Sequence, residues 1–485
     1  MKRTLISAFA LLLAAAAFSA CGDAKETGAK TTEAVSQTAA ETEPVTEAYT
    51  GPDLPEADFG GETFAFYNSC ICDWMAINTV TAAEETGDTL NDAVYRRNLA
   101  VSEQYNVEFM EYQNGDNALK SVMNLVSAGD TTYSIFLLRE EPAFNVVLQN
   151  GAMDFADIPY LDLDAEWWLQ SSLENMSLDN RVYFGISTFD TTHYDGTSTL
   201  YFNKTLIDNF DLDDPYQLVA NGTWTIDKMS EMALAVAADI NGDGQWGNED
   251  RYGYSSHEIL ITRYLMAGMG APLSLSKDDD DMLYYDMTSD FYIERLMKAA
   301  EIISQEDGFY HPGATSENHG GYEYFLEGNV LFYNETLGNA QKLRQMTLDF
   351  GILPAPKFDE NQTEYYNDVI EAYFMLVPVT NPDLDRTGIL MESLAYESLD
   401  TVLTAAYDGM LQGIVSRDTE SEAMLDLIFD TLSYNHPVGF TYTCTNLFNR
   451  IFTGKTDFVS YLTKNESKIE KAIEDAITAY RENNG

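Results

Sequence analysis

The sequence predicts an α/β protein with two lobes and a helical C-terminal segment. Three observations predict it. Residues 62–149 alternate apolar runs of strand length with segments of helical periodicity. A second alternation runs from Thr199 past Tyr254. Three helical segments follow residue 388. Strands interleaved with helices favour a largely parallel sheet in each lobe.

The N-terminus reads as a secretion signal over residues 1–20. Lys2 and Arg3 precede the apolar stretch Leu5–Phe18, which is too short to span a bilayer permanently. Phe18-Ser19-Ala20-Cys21-Gly22 resembles a lipobox, with Cys21 lipidated after cleavage. Ordinary cleavage leaving a free Cys21 is the alternative. Residues 21–57 are rich in Thr, Ala, Glu, Ser and Gly and carry almost no large apolar residue before Tyr49. Such a segment buries too little surface to order itself and reads as a disordered lipoprotein tether.

The folded body is expected from Asp58. Glu62–Asn68, Val107–Tyr112 and Tyr133–Leu138 read as strands. Leu90–Tyr105, a helix stopped at Gly129 and one around Phe144–Gln149 separate or follow them. This is the order of an open α/β lobe, whose ligands sit beyond the carboxyl ends of the strands. Val182–Phe189 reads as a further strand. The second lobe follows, with strands ending in Phe202-Asn203-Lys204, at Tyr252–Ser255, at Asn329–Asn334 and at Phe350–Pro354. Ala372–Val377 returns the chain to the first lobe, and Gly388–Tyr407, Glu420–Asp430 and Lys464–Tyr480 are helical.

Charge bounds the function. The chain has 27 Lys+Arg against 79 Asp+Glu, a net charge of −52 and a pI near 4.1. Such a surface repels nucleic acid and anionic headgroups. Three cysteines remain beyond Cys21: Cys70, Cys72 and Cys444. An odd number forbids a fully paired framework, and no Cys/His cluster has zinc spacing. They read as packing or free thiols, with a link from Cys70 or Cys72 to Cys444 as the alternative.

Several segments carry a family resemblance. LYFNK at 200–204, FLEGNVLFYNETL followed by LDFGILPAPKF, and then AYFMLVP stand in an order and spacing similar to the extracellular solute-binding protein type 1 family. These are the lipoprotein sugar-binding components of ABC transporters. The resemblance covers roughly residues 60–480. It implies a two-lobe, type II periplasmic-binding-protein-like fold. Residues 58–188 plus 370–410 would form the first lobe, and 189–369 the second. Residues 411–485 would be helices packing across the lobes, and the hinge crossovers would lie near 188–192 and 369–372. It further implies a monomer on the extracellular face of the membrane, held by its lipid anchor. Such a protein binds a mono- or oligosaccharide between its lobes and delivers it to the permease subunits, with no catalytic residue.

The loop DINGDGQWGNED has calcium-loop spacing. Asp239, Asn241, Asp243, Gln245 and Asp250 fall at positions one, three, five, seven and twelve, with Gly244 at six. Oxygen ligands at alternate positions converge on one centre, and the glycine permits the sharp turn. The reading is a structural Ca²⁺; an Asx-rich turn without metal is the alternative. Position twelve is Asp rather than Glu, and only one such loop exists.

A sugar site needs aromatic faces for stacking and polar side chains for the hydroxyls. The chain holds 30 Tyr, 25 Phe and 5 Trp, a supply that permits such a site without locating it. Loops after strands place Asn68, Trp74, Arg139, His193, Asp195, His257 and Asn334 at the expected cleft. Two rival readings are a glycan-active enzyme and a calcium-dependent surface-assembly module. The first needs a paired-carboxylate geometry that 79 acids make undiagnostic, and the second needs two neighbouring calcium loops.

Overall fold

The computed structural model describes residues 51–484 other than 258–259, 306–307, 311–320, 340–342, 344–346, 415–418, 435–445, 448–449 and 456. The secretion signal, Cys21, most of the tether and Cys444 lie outside the described residues. From Gly51 onward the chain forms one compact unit. Its strands are β1 (Glu62–Asn68), β2 (Val107–Gln113), β3 (Ile135–Arg139), β4 (Phe184–Gly185), β5 (Ser198–Asn203), β6 (Tyr252–Ser256), β7 (Ser276–Lys277), β8 (Leu283–Tyr284), β9 (Phe309–Tyr310), β10 (Val330–Thr336), β11 (Phe350–Leu353), β12 (Asn367–Asp368), β13 (Tyr373–Leu376) and β14 (Leu432–Ser433).

Two five-stranded sheets carry the fold, one in the order β2-β1-β3-β13-β4 and the other β11-β5-β10-β6-β9. In the first, β1 runs parallel to β2 and β3, while β13 is antiparallel to β3 and to β4. In the second, β10 is parallel to β6 and antiparallel to β5, and β11 is antiparallel to β5. The expectation of largely parallel sheets is therefore corrected to mixed ones. The reason is connectivity. Both β5 and β13 begin where the chain crosses between sheets, so each runs away from the crossing, against the strands that point towards it.

Period-two alternation decides what each face of the first sheet covers. Phe64, Phe66, Ile135, Leu137 and Met375 pack with Val101, Tyr105, Leu390 and Leu394 from the helices Thr89–Tyr105 and Leu384–Leu399. The alternate residues Tyr67, Phe136, Leu138, Phe374 and Leu376 face Phe144 and Val147 of the helix Glu140–Leu148. In the second sheet β5 and β10 are buried along their whole length, as befits strands covered on both faces.

Local signals explain the helix ends. The Asp88 side chain accepts from the Leu90 and Asn91 amides, and Gly129 closes the helix Ala118–Ala128 in the left-handed region at φ 66°. The expected helix 388–407 is two helices, Leu384–Leu399 and Val402–Ile414. The expected strand Val182–Phe189 keeps only Phe184–Gly185. The tether boundary at 57 also moves. Leu54 and Ala57 already pack against the first-lobe core, and the Phe59 amide donates to the Tyr105 carbonyl at 2.8 Å. Composition hid these few apolar anchors among polar neighbours.

The C-terminal helices touch both sheets' surroundings. In Glu420–Asp430, Ser421 Oγ lies 2.9 Å from Tyr216 Oη. The helix Phe458–Asn484 meets the first lobe through Tyr480 Oη and Tyr183 Oη, 2.9 Å apart. It meets the second through Thr288, whose hydroxyl donates to Glu466 at 2.6 Å. Among the described residues no helix is long and apolar enough to cross a membrane.

Candidate ligand site at the junction of the two sheets

The carboxyl ends of β1 and β3 and the start of β13 lie together, because Tyr373 pairs with Arg139 in the ladder. In the other sheet the ends of β6 and β10 lie beside the start of β5, with Asn334 opposite Ser256 and Thr336 opposite Ser198. The two groups of strand ends meet at the crossings. Thr197 bridges to Val369, and the Ile370 amide donates to the Gly196 carbonyl at 2.9 Å. Gly196 is required there, because a Cβ on it would stand 1.9 Å from the Glu371 carbonyl oxygen.

The segment 367–373 gathers one arginine from each lobe. From the first, Arg139 Nη2 lies 2.7 Å from Glu371 Oε2. From the second, Arg263 Nε lies 2.9 Å from Asp368 Oδ2 and Nη2 lies 3.0 Å from Oδ1, a bidentate pair. The other Glu371 oxygen accepts from Tyr373 Oη at 2.8 Å and from Cys72 Sγ at 2.9 Å. Glu140, half-buried at the head of its helix, has its carboxyl pushed up by burial, against the pull of Arg263 and Arg139.

The loop after β1 reaches across. The Ala76 amide donates to Asp195 Oδ2 at 2.8 Å. Trp74 is half-buried, and a Cβ added to Gly338 would come 2.9 Å from its ring and 3.0 Å from Asp195 Cβ. Burial pushes the Asp195 carboxyl up to about 7; the Ala76 amide opposes this and the Asp190 charge adds to it. Asp190 itself is raised to about 6 by burial, in spite of the Thr192 amide and hydroxyl that donate to it.

The sequence-predicted residues divide. Trp74, Arg139 and Asp195 come together at the junction. His257 is half-buried at the end of β6, on the same side. His193 is 2% exposed beside Tyr194, and burial pulls it down to about 3 although the Asp190 backbone pulls the other way. Asn68 and Asn334 are committed inside their own lobes. Asn68 Nδ2 donates to Asn78 O and Glu111 Oε1 while Oδ1 accepts from the Cys70 amide. Asn334 Nδ2 donates to Ser198 Oγ and Thr199 O, and Oδ1 accepts from Ser256 Oγ. Sequence reasoning missed Arg263, Asp368, Glu371 and Tyr373. Glu371 falls on the expected crossover, which was the only signal available.

The calcium-type loop is shaped by its own amides. Asp239 accepts from Gly242 and Gly244, Asn241 from Asp243, Asp243 from Gln245, and Asp250 from Ile240 and Gly247. Gly242 and Gly244 take φ of 72° and 75°. Among the described residues no group of three or more His, Cys, Asp and Glu side chains is placed to hold a metal ion.

No protein-family model matches the sequence, and no curated protein matches it. Solved structures do. An ABC substrate-binding protein from Listeria monocytogenes, in complex with cycloalternan, is 12% identical at a TM-score of 0.55, over 85% of this chain and 99% of that one. A family 1 extracellular solute-binding protein from Bifidobacterium longum subsp. infantis is 14% identical at 0.55, over 86% and 99%. The GacH receptor of Streptomyces glaucescens, solved unliganded and with acarbose, is 12% identical at 0.54, over 86% and 99%. At such identities the likeness is one of architecture, and this chain has the two-lobe fold of the family 1 extracellular solute-binding proteins of ABC transporters.

Proposed function

We propose that this chain binds a mono- or oligosaccharide between its lobes and delivers it, chemically unaltered, to the permease subunits of an ABC importer. It does so from the outer face of the membrane, anchored by a lipid on Cys21. The observation that carries the reading is the segment 367–373, where Glu371 and Asp368 hold Arg139 and Arg263 from opposite lobes. Hydroxyls from a neutral ligand suit a site whose guanidinium charges are already balanced. The cycloalternan and acarbose complexes among structures of this fold favour a carbohydrate. A melting-shift screen of mono- and oligosaccharides tests it. A binder melts higher with its ligand, and scattering then shows compaction as the lobes close. Turnover of the sugar, or neither a shift nor compaction across the screen, sinks the reading.

Calcium at the Asp239–Asp250 loop is a separate part of the proposal and rests on ligand spacing. Asp239, Asn241, Asp243, the Gln245 carbonyl and Asp250 would hold the ion, which would pin the end of the helix Ile226–Val236 to β6. Trp246, 36% exposed with its ring 5.4 Å from that of Tyr252, supplies the readout. Calcium should change its fluorescence and raise the melting temperature, and chelator should reverse both.

A further inference from the structure

Three sulfur side chains share one small cluster at the junction, and the saccharide reading uses none of them. Cys70 is 1% exposed and Met75 7%, and both pack with Tyr373, while Cys72 and Trp74 lie half-buried against them. Cys70 Sγ stands 3.7 Å from Met75 Sδ. The Cys70 and Cys72 side chains interact with one another. Cys72 Sγ also donates to Glu371 Oε1 at 2.9 Å. All three sulfurs sit on the single loop after β1, so Cys-x-Cys-x-x-Met brings them together without any help from the second lobe.

We infer that Cys70, Cys72 and Met75 form a binding site for a soft monovalent metal ion, Cu(I). Two thiolates and a thioether are a soft donor set, of the kind that takes Cu(I) in preference to hard ions. The 3.7 Å between Cys70 Sγ and Met75 Sδ suits two donors on one small ion, with Cys72 as the third. Burial keeps competing water away from Cys70 and Met75, and a metal ion deprotonates a coordinating thiol outright. Cu(I) enters, two thiol protons leave, and no oxidation state changes. Trp74, packed on the same cluster, adds an aromatic surface that favours a nearby cation. Cu(I) binding here does not require a sugar, although the cluster shares Trp74 and Glu371 with the candidate ligand site.

The test is an anaerobic titration of the reduced full chain with Cu(I) held by bicinchoninate, a coloured competing chelator. One Cu(I) per chain should leave the chelator. Cys70→Ser and Cys72→Ser should each weaken binding by about 10–100-fold or more, and Met75→Leu by about 10-fold, a range familiar from lost metal-site groups. Cys444→Ser should change nothing. Circular dichroism and melting of each variant show whether it has folded. Silver(I), a redox-inert soft ion, should compete for the same site, which gives a second readout on the unmodified chain. The inference is overturned if the chelator keeps all its copper. It is equally overturned if binding survives the Cys70→Ser/Cys72→Ser double variant or is lost in Cys444→Ser.

Discussion

The segment 367–373 and the floor of the first lobe both bury carboxylates, and they satisfy them in opposite ways. In the segment, Asp368 and Glu371 each face a guanidinium carried by a different lobe. In the floor, Glu392 is fully buried and accepts from the Trp167 and Trp168 indoles at 2.9 and 3.1 Å and from the Asp162 amide at 3.2 Å. Among the described residues no cation pairs with it, and burial pushes its carboxyl up to about 7, although those three donors pull the other way. Fixed neutral donors suit a rigid wall, while cationic partners on separate bodies suit a place where the bodies rearrange.

Substitutions and pH can break the contrast. The largest effect is expected at Arg263, whose side chain is 21% exposed against 2% for its partner Asp368. Arg263→Met strands that carboxylate and should lower unfolding free energy by about 3 kcal/mol in urea titrations. Next comes the floor. Folded Glu392 holds its proton more tightly than the unfolded chain does. Its contribution to stability is therefore complete below the ordinary carboxylate range and is lost as pH rises through about 7. The loss between pH 4.5 and 7 should be about 2–3 kcal/mol. Glu392→Gln should flatten that slope in part, since Asp195 and Asp190 are raised as well and add to it with the same sign.

Gly196→Ala sharpens the comparison sterically. It pushes the two crossings apart at the Glu371 carbonyl and should cost about 2 kcal/mol, read as a lower melting temperature. The smallest effect belongs to Arg139→Met. With 48% of the Arg139 side chain exposed, solvent screening limits the loss to about 1 kcal/mol or less. Its consequence should appear instead in saccharide affinity.

Much of the fold was legible because strand alternation and helix capping are local. ETFAFYN and YSIFLL announced β1 and β3 through residues that now face opposite cores. Strand direction was not legible, since it depends on where the chain crosses between sheets. Position in the sequence put Trp74, Arg139 and Asp195 after strands, and the structure brings the three to the junction. Asn68 and Asn334 also stand at strand ends but bond within their own lobes, and a strand end that needs internal hydrogen bonds looks the same in sequence as one that offers them to a ligand. Arg263 and Asp368 escaped because they are far apart in sequence and neither sits in a motif.

The interleaving of β13 between β3 and β4 dictates an order of assembly. The second sheet draws all its strands from Ser198–Leu353, so a nascent chain can complete it as soon as that stretch has emerged. The first sheet stays open until residues 373–376 arrive to close the gap. The helix Phe458–Asn484, the last described element to be synthesised, then fastens the finished halves. A chain cut short before β13 should yield one folded half and one that remains protease-sensitive.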